Sequence, residues 1–133
     1  MSDITLPHDH GGQQDPGRLK ELLDRTENFQ TVADVFKQMC DPTRIRIFWL
    51  LCHCEACVIN ISAMMEMSSP AVSHHLRALR TSGLIVSRRD GREVYYRAAP
   101  TEEALLLHHM IESVMAITCP EEEALEYAEF QGD

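Results

Sequence analysis

The sequence has no long hydrophobic run and no secretory signal, and these two absences limit where the protein can work. The longest apolar stretch, residues 45–52, is interrupted by Arg46 and is far too short to cross a bilayer. The first 30 residues are polar and acidic and lack the apolar core of a signal peptide. With 133 residues, the chain is long enough for one domain with a small core. We therefore expect a cytoplasmic protein with no membrane partner.

The sequence also lacks an even number of cysteines and the motifs of common enzymes. Five cysteines cannot all pair within one chain, and a cytoplasmic location keeps thiols reduced. A cysteine cluster is then better explained by metal binding or redox chemistry than by a disulfide framework. A Cys/His hydrolase needs a base held by an orienting group and oxyanion donors, and the sequence shows no Gly-rich loop or nucleophile elbow. We therefore expect that the protein is not an enzyme.

A net positive charge is absent too, but the charges are unevenly distributed. The net charge is −9, yet residues 44–97 carry eight arginines against four acidic residues, which gives +4. The rest of the chain has four basic and seventeen acidic residues, which gives −13. Phosphates respond to charges within about 8 Å, the Debye length at physiological salt. A basic face on an acidic scaffold is therefore compatible with binding a nucleic acid.

Hydrophobic periodicity predicts a mainly helical domain at residues 16–118. Asp15-Pro16 and Asp41-Pro42 are helix-start signals, because an Asp side chain accepts an orphan amide hydrogen and Pro is tolerated in the first turn. They predict one helix that continues to about Met39 and another from residue 42 to about residue 52. The elements predicted after them are a short helix at 58–65, a helix at 68–81 that ends before Gly83, a β-hairpin around Asp90-Gly91 and a long helix at 102–118.

The two ends of the chain differ from this domain in composition. Residues 1–15 are polar with little apolar content and are predicted to be a flexible N-terminal arm. Residues 119–133 are predicted to be an acidic C-terminal tail with weak helical character.

Two helices at a tight turn followed by a basic hairpin form a winged helix-turn-helix, a mainly α fold with a two-stranded β-hairpin wing. The segments "DPTRIRI" and "SSPAVSHHLRALRTSGLIVSRRDGREVYYR" resemble the ArsR/SmtB family of bacterial metal-sensing repressors, over roughly residues 18–118. The resemblance implies a homodimer joined through its first and last helices. It also implies a palindromic double-stranded DNA operator that is released when a metal or another inducer binds.

The helix at 68–81 is the predicted recognition helix. Ser69, Ser73 and His74 are short donor and acceptor groups that can meet base edges in the major groove. Arg77 is expected to lie nearer the phosphates. For Ser69, a role limited to capping the helix is the alternative, and core packing is the alternative for the next histidine, His75.

The tip of the predicted wing carries three arginines, Arg88, Arg89 and Arg92. We expect them to contact phosphates or the minor groove, and a solvated turn is the alternative. Tyr95 and Tyr96 are expected to pack on the strand rather than to stack on bases.

Cysteines cluster just ahead of the short helix. Cys54 and Cys57 have the C-x-x-C spacing that lets two thiolates reach one tetrahedral ion. The resemblance places here a family site with the motif E-L-C-V-C-D, completed by the N-terminal arm of the other subunit. Cys57 matches its first cysteine, whereas Ile59 and Asn60 replace the second cysteine and the acid. The predicted ligands are Cys54, Cys57, His8, His10 and Glu55. Imidazole with thiolate suits zinc, and cadmium would compete.

The last helix offers a weaker set of metal ligands. A second family site has the pattern D-x-H-x(10)-H-x-x-H/E. Its positions correspond to Pro100, Glu102, Ser113 and Ala116. Three of them cannot bind a metal, so we do not expect that site as the family builds it. His109 and Glu112 share one helical face and are substitute candidates, while His108 is expected to pack or to form interface hydrogen bonds.

The expected function is a transcriptional repressor whose inducer is zinc or another thiophilic divalent metal. The metal would pin the arm to the bend at residues 54–57 and change the angle between the two recognition helices. A coupling free energy of about 1.4 kcal/mol changes operator affinity tenfold. The alternative is a thiol redox or persulfide-responsive repressor of the same fold. In it, Cys54 and Cys57 form a disulfide, or either of them pairs with Cys119.

Overall fold

A computed structural model describes residues 4–8, 10–11 and 15–129. The chain divides into two compact units, residues 1–37 and 38–133. The predictions of an arm at 1–15 and a tail at 119–133 fall partly outside the described residues. In the ranges that are described, no helix is both long and apolar enough to cross a membrane.

Two helices, α1 (Pro16–Leu23) and α2 (Thr26–Gln38), replace the single helix predicted up to Met39. The start is as predicted, because the Asp15 side chain accepts from the Arg18 amide at 3.0 Å. The helix then ends at Asp24, where the Arg25 amide turns to the carbonyl three residues before it. Asp24 and Thr26 are residue types with a lower helix propensity than leucine or lysine, which favours a break here.

The second unit contains the helices that the sequence predicts, with a further short one in the tail. Their bounds are α3 (Pro42–His53), α4 (Val58–Met65), α5 (Ser69–Thr81), α6 (Glu102–Thr118) and α7 (Glu121–Ala128). Asp41 caps α3 by accepting from the Arg44 amide at 3.1 Å, and this bond lowers the pKa of the Asp41 carboxyl. Gly83, two residues beyond the end of α5, has φ +77°, and the Leu84 amide closes the last turn on the Leu79 carbonyl.

The hairpin is confirmed, and a third strand joins it. Strands β2 (Ile85–Asp90) and β3 (Glu93–Ala98) pair antiparallel, with Asp90 opposite Glu93. The turn residues are therefore Gly91 and Arg92, one position later than the predicted centre, and Gly91 supplies φ +64°. Strand β1 (Ala56–Cys57) pairs with β3 on the other side, so the sheet order is β1-β3-β2. Two residues are too few for strand periodicity to appear in the sequence.

The core of the second unit lies between α3, α4, α5 and the start of the sheet. The largest fully buried side chains are Ile47, Phe48, Ile61, Val72, Leu76, Leu79, Leu84 and Ile85. Val72, Leu76 and Leu79 share the inner face of α5, as their spacing predicts. This packing confirms the mainly α fold with a hairpin wing and fixes which face of α5 is turned outward.

Candidate functional site

Helix α5 presents a polar surface opposite its buried face. Ser69, His74 and Arg77 are exposed, and Ser73 is half-buried. The sequence predicts DNA contacts for all four: Ser69 is the first residue of α5, and the other three fall between the buried positions Val72, Leu76 and Leu79. A helix with one face fixed in the core and a polar face in solvent can enter a major groove without unfolding.

The serine at the start of α5 that caps the helix is Ser68, not Ser69. The Ser68 hydroxyl accepts from the Ala71 amide at 3.3 Å. The Ser69 hydroxyl instead lies 3.3 Å from the Ser62 hydroxyl and is exposed. Capping therefore does not account for Ser69, whose hydroxyl stays at the solvent-facing start of the helix.

His75 ties α5 to α3. It is half-buried, and the Arg44 Nε donates to His75 Nδ1 at 3.2 Å. Burial lowers the pKa of His75, which favours the neutral ring that can accept this bond. The Arg44 guanidinium also donates to Gln38 at 2.5 Å. This bond links α5 to α3, as the packing alternative expects for His75.

Two predicted site residues of different roles form one ion pair. Arg88 Nε donates to both carboxylate oxygens of Glu55 at 2.9 Å, and Arg88 Nη2 donates to Glu55 Oε1 at 2.6 Å. This pairing lowers the pKa of Glu55 and raises that of Arg88. The Arg88 guanidinium also lies 4.8 Å from the centre of the Tyr95 ring. The ion pair therefore connects the wing to the cysteine bend. Arg88, Arg89 and Arg92 are all exposed.

The cysteine bend is also hydrogen-bonded to the wing through the backbone. Cys57 pairs with Tyr95 in the β1–β3 ladder and is 7% exposed. Cys54 precedes β1 and is exposed, and partial burial raises the pKa of its thiol. Tyr95 and Tyr96 are half-buried on the strand, as predicted. Residues 56–57 of the bend and the two strands of the wing thus form one sheet.

The arm histidines belong to the other unit. His8 and His10 are exposed, and their rings stack with centroids 5.7 Å apart. Asp9 between them lies outside the described residues. Since Cys54 and Cys57 belong to the second unit, a joint site of arm and bend stays a prediction.

A cluster that sequence analysis missed joins α3 to α6. His108 Nε2 lies 3.0 Å from Glu112 Oε1 and 3.1 Å from His53 Nε2, and His53 Nε2 lies 3.5 Å from Glu112 Oε1. Within the part of the chain that the structure describes, these three side chains are the group whose ligand atoms all lie within 4.8 Å of one another. Helical spacing of four residues could have suggested His108 with Glu112. The contribution of His53 depends on the packing of two distant helices.

The two predicted ligands on α6, His109 and Glu112, lie in different environments. Glu112 is 4% exposed, and the Trp49 Nε1 donates to its Oε1 at 3.0 Å. His109 is exposed, and its ring stacks on that of His108 with centroids 5.9 Å apart. The structure therefore brings His108, rather than His109, to Glu112.

A cleft opens beside this cluster. It has a volume of about 400 Å³ and is lined by residues 98–102, by Cys52 and by His108. Burial, followed by the charge of Glu112, raises the pKa of the Cys52 thiol to about 12. Cys52 is therefore a neutral, packed side chain at neutral pH.

Known proteins share this fold and much of its sequence. Residues 41–87 match the model of the arsR family of bacterial regulatory proteins. The chain is 39% identical over 97 residues to a cadmium resistance transcriptional regulatory protein CadC homolog from Staphylococcus aureus, covering 72% of this chain and 76% of that protein. It is 44% identical over 70 residues to a transcriptional repressor SmtB homolog from Synechocystis sp., a match that spans only 53% of each chain.

A solved structure extends the comparison to three dimensions. It is the solution NMR structure of a homodimeric winged helix-turn-helix DNA-binding domain from Mycobacterium bovis, described as a possible ArsR-family transcriptional regulator. The two structures have a TM-score of 0.61 and 32% sequence identity, over 84% of this chain and 94% of that one. Together with the outward face of α5 and the arginine-bearing wing, these matches show that the chain belongs to the arsR family of bacterial regulatory proteins and is a DNA-binding transcriptional regulator, not an enzyme.

Proposed function

We propose that the protein is a homodimeric repressor that binds a palindromic operator through α5 and the wing and releases it when a thiophilic divalent metal binds. The observation that carries the proposal is the polar outer face of α5 beside an arginine-tipped hairpin, in the only strongly basic segment of an acidic chain. A duplex-DNA target also favours a cytoplasmic location.

Each part of the surface has a proposed role in binding DNA. Ser69, Ser73 and His74 meet base edges, because their short side chains keep the helix close to the groove floor. Arg77 contacts a phosphate from the next turn of α5. Arg89 and Arg92 at the wing tip, with Arg88 beside them, contact phosphates or the minor groove.

The proposed inducer site is Cys54 and Cys57 with His8 and His10. Two thiols and two imidazoles are donors that suit zinc or cadmium. A metal at this bend would act on the wing by two routes, the β1–β3 ladder at Cys57 and the ion pair of Glu55 with Arg88. If Glu55 joined the metal, it would have to leave Arg88, which changes the charge that the wing presents to DNA.

DNA binding is tested by fluorescence anisotropy with the promoter upstream of the protein's own coding sequence, using reduced, metal-free protein. Replacing Arg89 or Arg92 by Gln should weaken binding to promoter and unrelated DNA alike, and make the negative slope of log K against log salt shallower by about one. His74→Ala should instead reduce the preference for the promoter over unrelated DNA. Arg46→Gln, an exposed arginine on α3, is the charge-matched control.

The proposal would be overturned if no promoter preference is found, or if Arg46→Gln has the same effect as the wing variants. Metal response is tested by adding zinc or cadmium to the protein–DNA complex. Release is expected, and the double variant Cys54→Ser/Cys57→Ser should abolish it. A complex that ignores every thiophilic ion but dissociates with an oxidant or a persulfide donor would favour the redox alternative.

A further inference from the structure

We propose that His53, His108 and Glu112 form a metal-binding site within one protomer, for a borderline divalent cation such as Zn²⁺. The site shares no ligand with the proposed cysteine site and uses only nitrogen and oxygen donors. Its binding can be measured without DNA, whereas any effect on the operator rests on the proposed function.

The geometry of the three ligand atoms is that of one face of a tetrahedron. Their separations are 3.0, 3.1 and 3.5 Å, close to an equilateral triangle. Zinc bonds of roughly 2.0–2.1 Å place the ligand atoms of a tetrahedral site about 3.3 Å apart. A zinc ion would therefore fit above this triangle with little side-chain movement.

Hydrogen bonding alone uses this arrangement poorly. The Nε2 atom of a neutral histidine offers either one proton or one lone pair. His108 Nε2 faces two groups at once, the Nε2 of His53 and the Oε1 of Glu112, at nearly equal distances. One cation would instead accept a lone pair from each of the three atoms at once.

Surrounding residues provide support and access. Trp49 Nε1 donates to the same Glu112 oxygen at 3.0 Å, which orients the carboxylate as outer-shell donors do in metal sites. The cleft of about 400 Å³ is lined in part by His108 and gives a route from solvent to this ligand. Donors of this kind favour zinc, cobalt or nickel over the softer cadmium.

The position of the site connects a bound metal to the helices that lead into the wing. His53 is the last residue of α3, directly ahead of the cysteine bend, and the other two ligands lie on α6. A metal would cross-link these helices where α3 leads into β1 and the wing.

The test is a cobalt(II) titration of the full chain, metal-free and reduced, in a Cys54→Ser/Cys57→Ser background. Trp49 is the only tryptophan, and its indole contacts both His53 and Glu112. Bound cobalt should quench its fluorescence at one equivalent per protomer and give visible d–d absorption without a thiolate charge-transfer band. Zinc should reverse the quenching by displacing cobalt.

Variants identify the ligands. His108→Gln, His53→Gln and Glu112→Gln should each weaken cobalt and zinc binding roughly tenfold or more. His109→Gln is the matched control, because this neighbouring histidine is exposed on the same helix, and it should bind as the parent does. Near-ultraviolet circular dichroism of the metal-free variants verifies their folding, and the zinc-induced rise in Tm should disappear in His108→Gln.

The two proposals can fail separately. Unchanged affinity and quenching in folded His108→Gln, or quenching lost in His109→Gln alone, would overturn the site. So would a parent protein whose metal binding vanishes entirely with Cys54 and Cys57. If cobalt binds the cluster as expected while DNA is never released, the site stands and the metal-release function falls.

Discussion

Ile59 and Ile61 lie two positions apart on helix α4 and have opposite environments. Ile61 is fully buried, and Ile59 is 70% exposed. A helix advances 100° per residue, so two positions move a side chain from the core face to the surface. The chemical identity of a residue therefore says little about its role until its face is known.

Ile61→Ala should lower the free energy of unfolding by about 2–5 kcal/mol, because it removes packed methyl groups and leaves a cavity. Ile59→Ala should change that free energy by only about 0.5 kcal/mol, since its side chain already contacts water. Urea denaturation followed by circular dichroism measures both. Equal losses for the two variants would contradict the burial of α4 described above.

Whether a site residue can be predicted from the sequence also depends on knowing which face of its helix it occupies. The sequence predicts the polar face of α5 correctly, because its buried positions repeat at helical spacing. It predicts Glu112 as a possible ligand but pairs it with His109, since spacings of three and four residues are both compatible with one face. The packing of α6 against α3 decides that His108 lies beside Glu112 and His53, and this packing cannot be read from sequence spacing.

At the scale of elements, the bend before α4 is connected to the wing by backbone pairing and by an ion pair. Strand β1 pairs with β3, and Glu55 holds Arg88 with a bidentate ion pair. Capping signals in the sequence predict the starts of α1 and α3, and Gly91 predicts the turn. The break between α1 and α2 and the strand β1 were not predicted, because both depend on local competition or on pairing with distant residues.

Glu55→Gln should tighten binding to DNA and make the negative slope of log K against log salt steeper by about one, because Arg88 loses its neutralising partner. Arg88→Gln should do the reverse, and the double variant should return to the behaviour of the parent. Asp90→Asn removes a wing-tip carboxylate that lies 3.8 Å from Arg88 and is the control for a simple change of net charge. Anisotropy titrations at several salt concentrations provide the slopes. If Asp90→Asn matches Glu55→Gln, the ion pair has no special role.

At the scale of the whole molecule, helix α6 exposes several large apolar side chains to solvent in the single chain. Its exposed large apolar residues are Leu105, Leu106, Met110, Val114 and Ile117. Helices α1 and α2 also expose apolar side chains, Leu19, Leu23, Phe29, Val32 and Phe36 among them. Apolar patches of this kind mark interaction surfaces. They support the proposed homodimer through the first and last helices, and a two-fold dimer would present two recognition helices to a palindromic operator.

Ile117→Glu should dissociate that dimer. The Ile117 side chain is 82% exposed in the single chain and would be buried in the proposed apolar interface, where a charge is unfavourable. Ile59→Glu is the matched control, since Ile59 is 70% exposed on α4, outside the proposed interface. Size-exclusion chromatography with light scattering should give a monomer mass for Ile117→Glu and a dimer mass for Ile59→Glu and the parent. Monomers should also bind a palindromic operator more weakly, because each half-site must then be filled independently. A parent protein that is monomeric at micromolar concentration, or a dimer that survives Ile117→Glu but not Ile59→Glu, would show that α6 is not the interface.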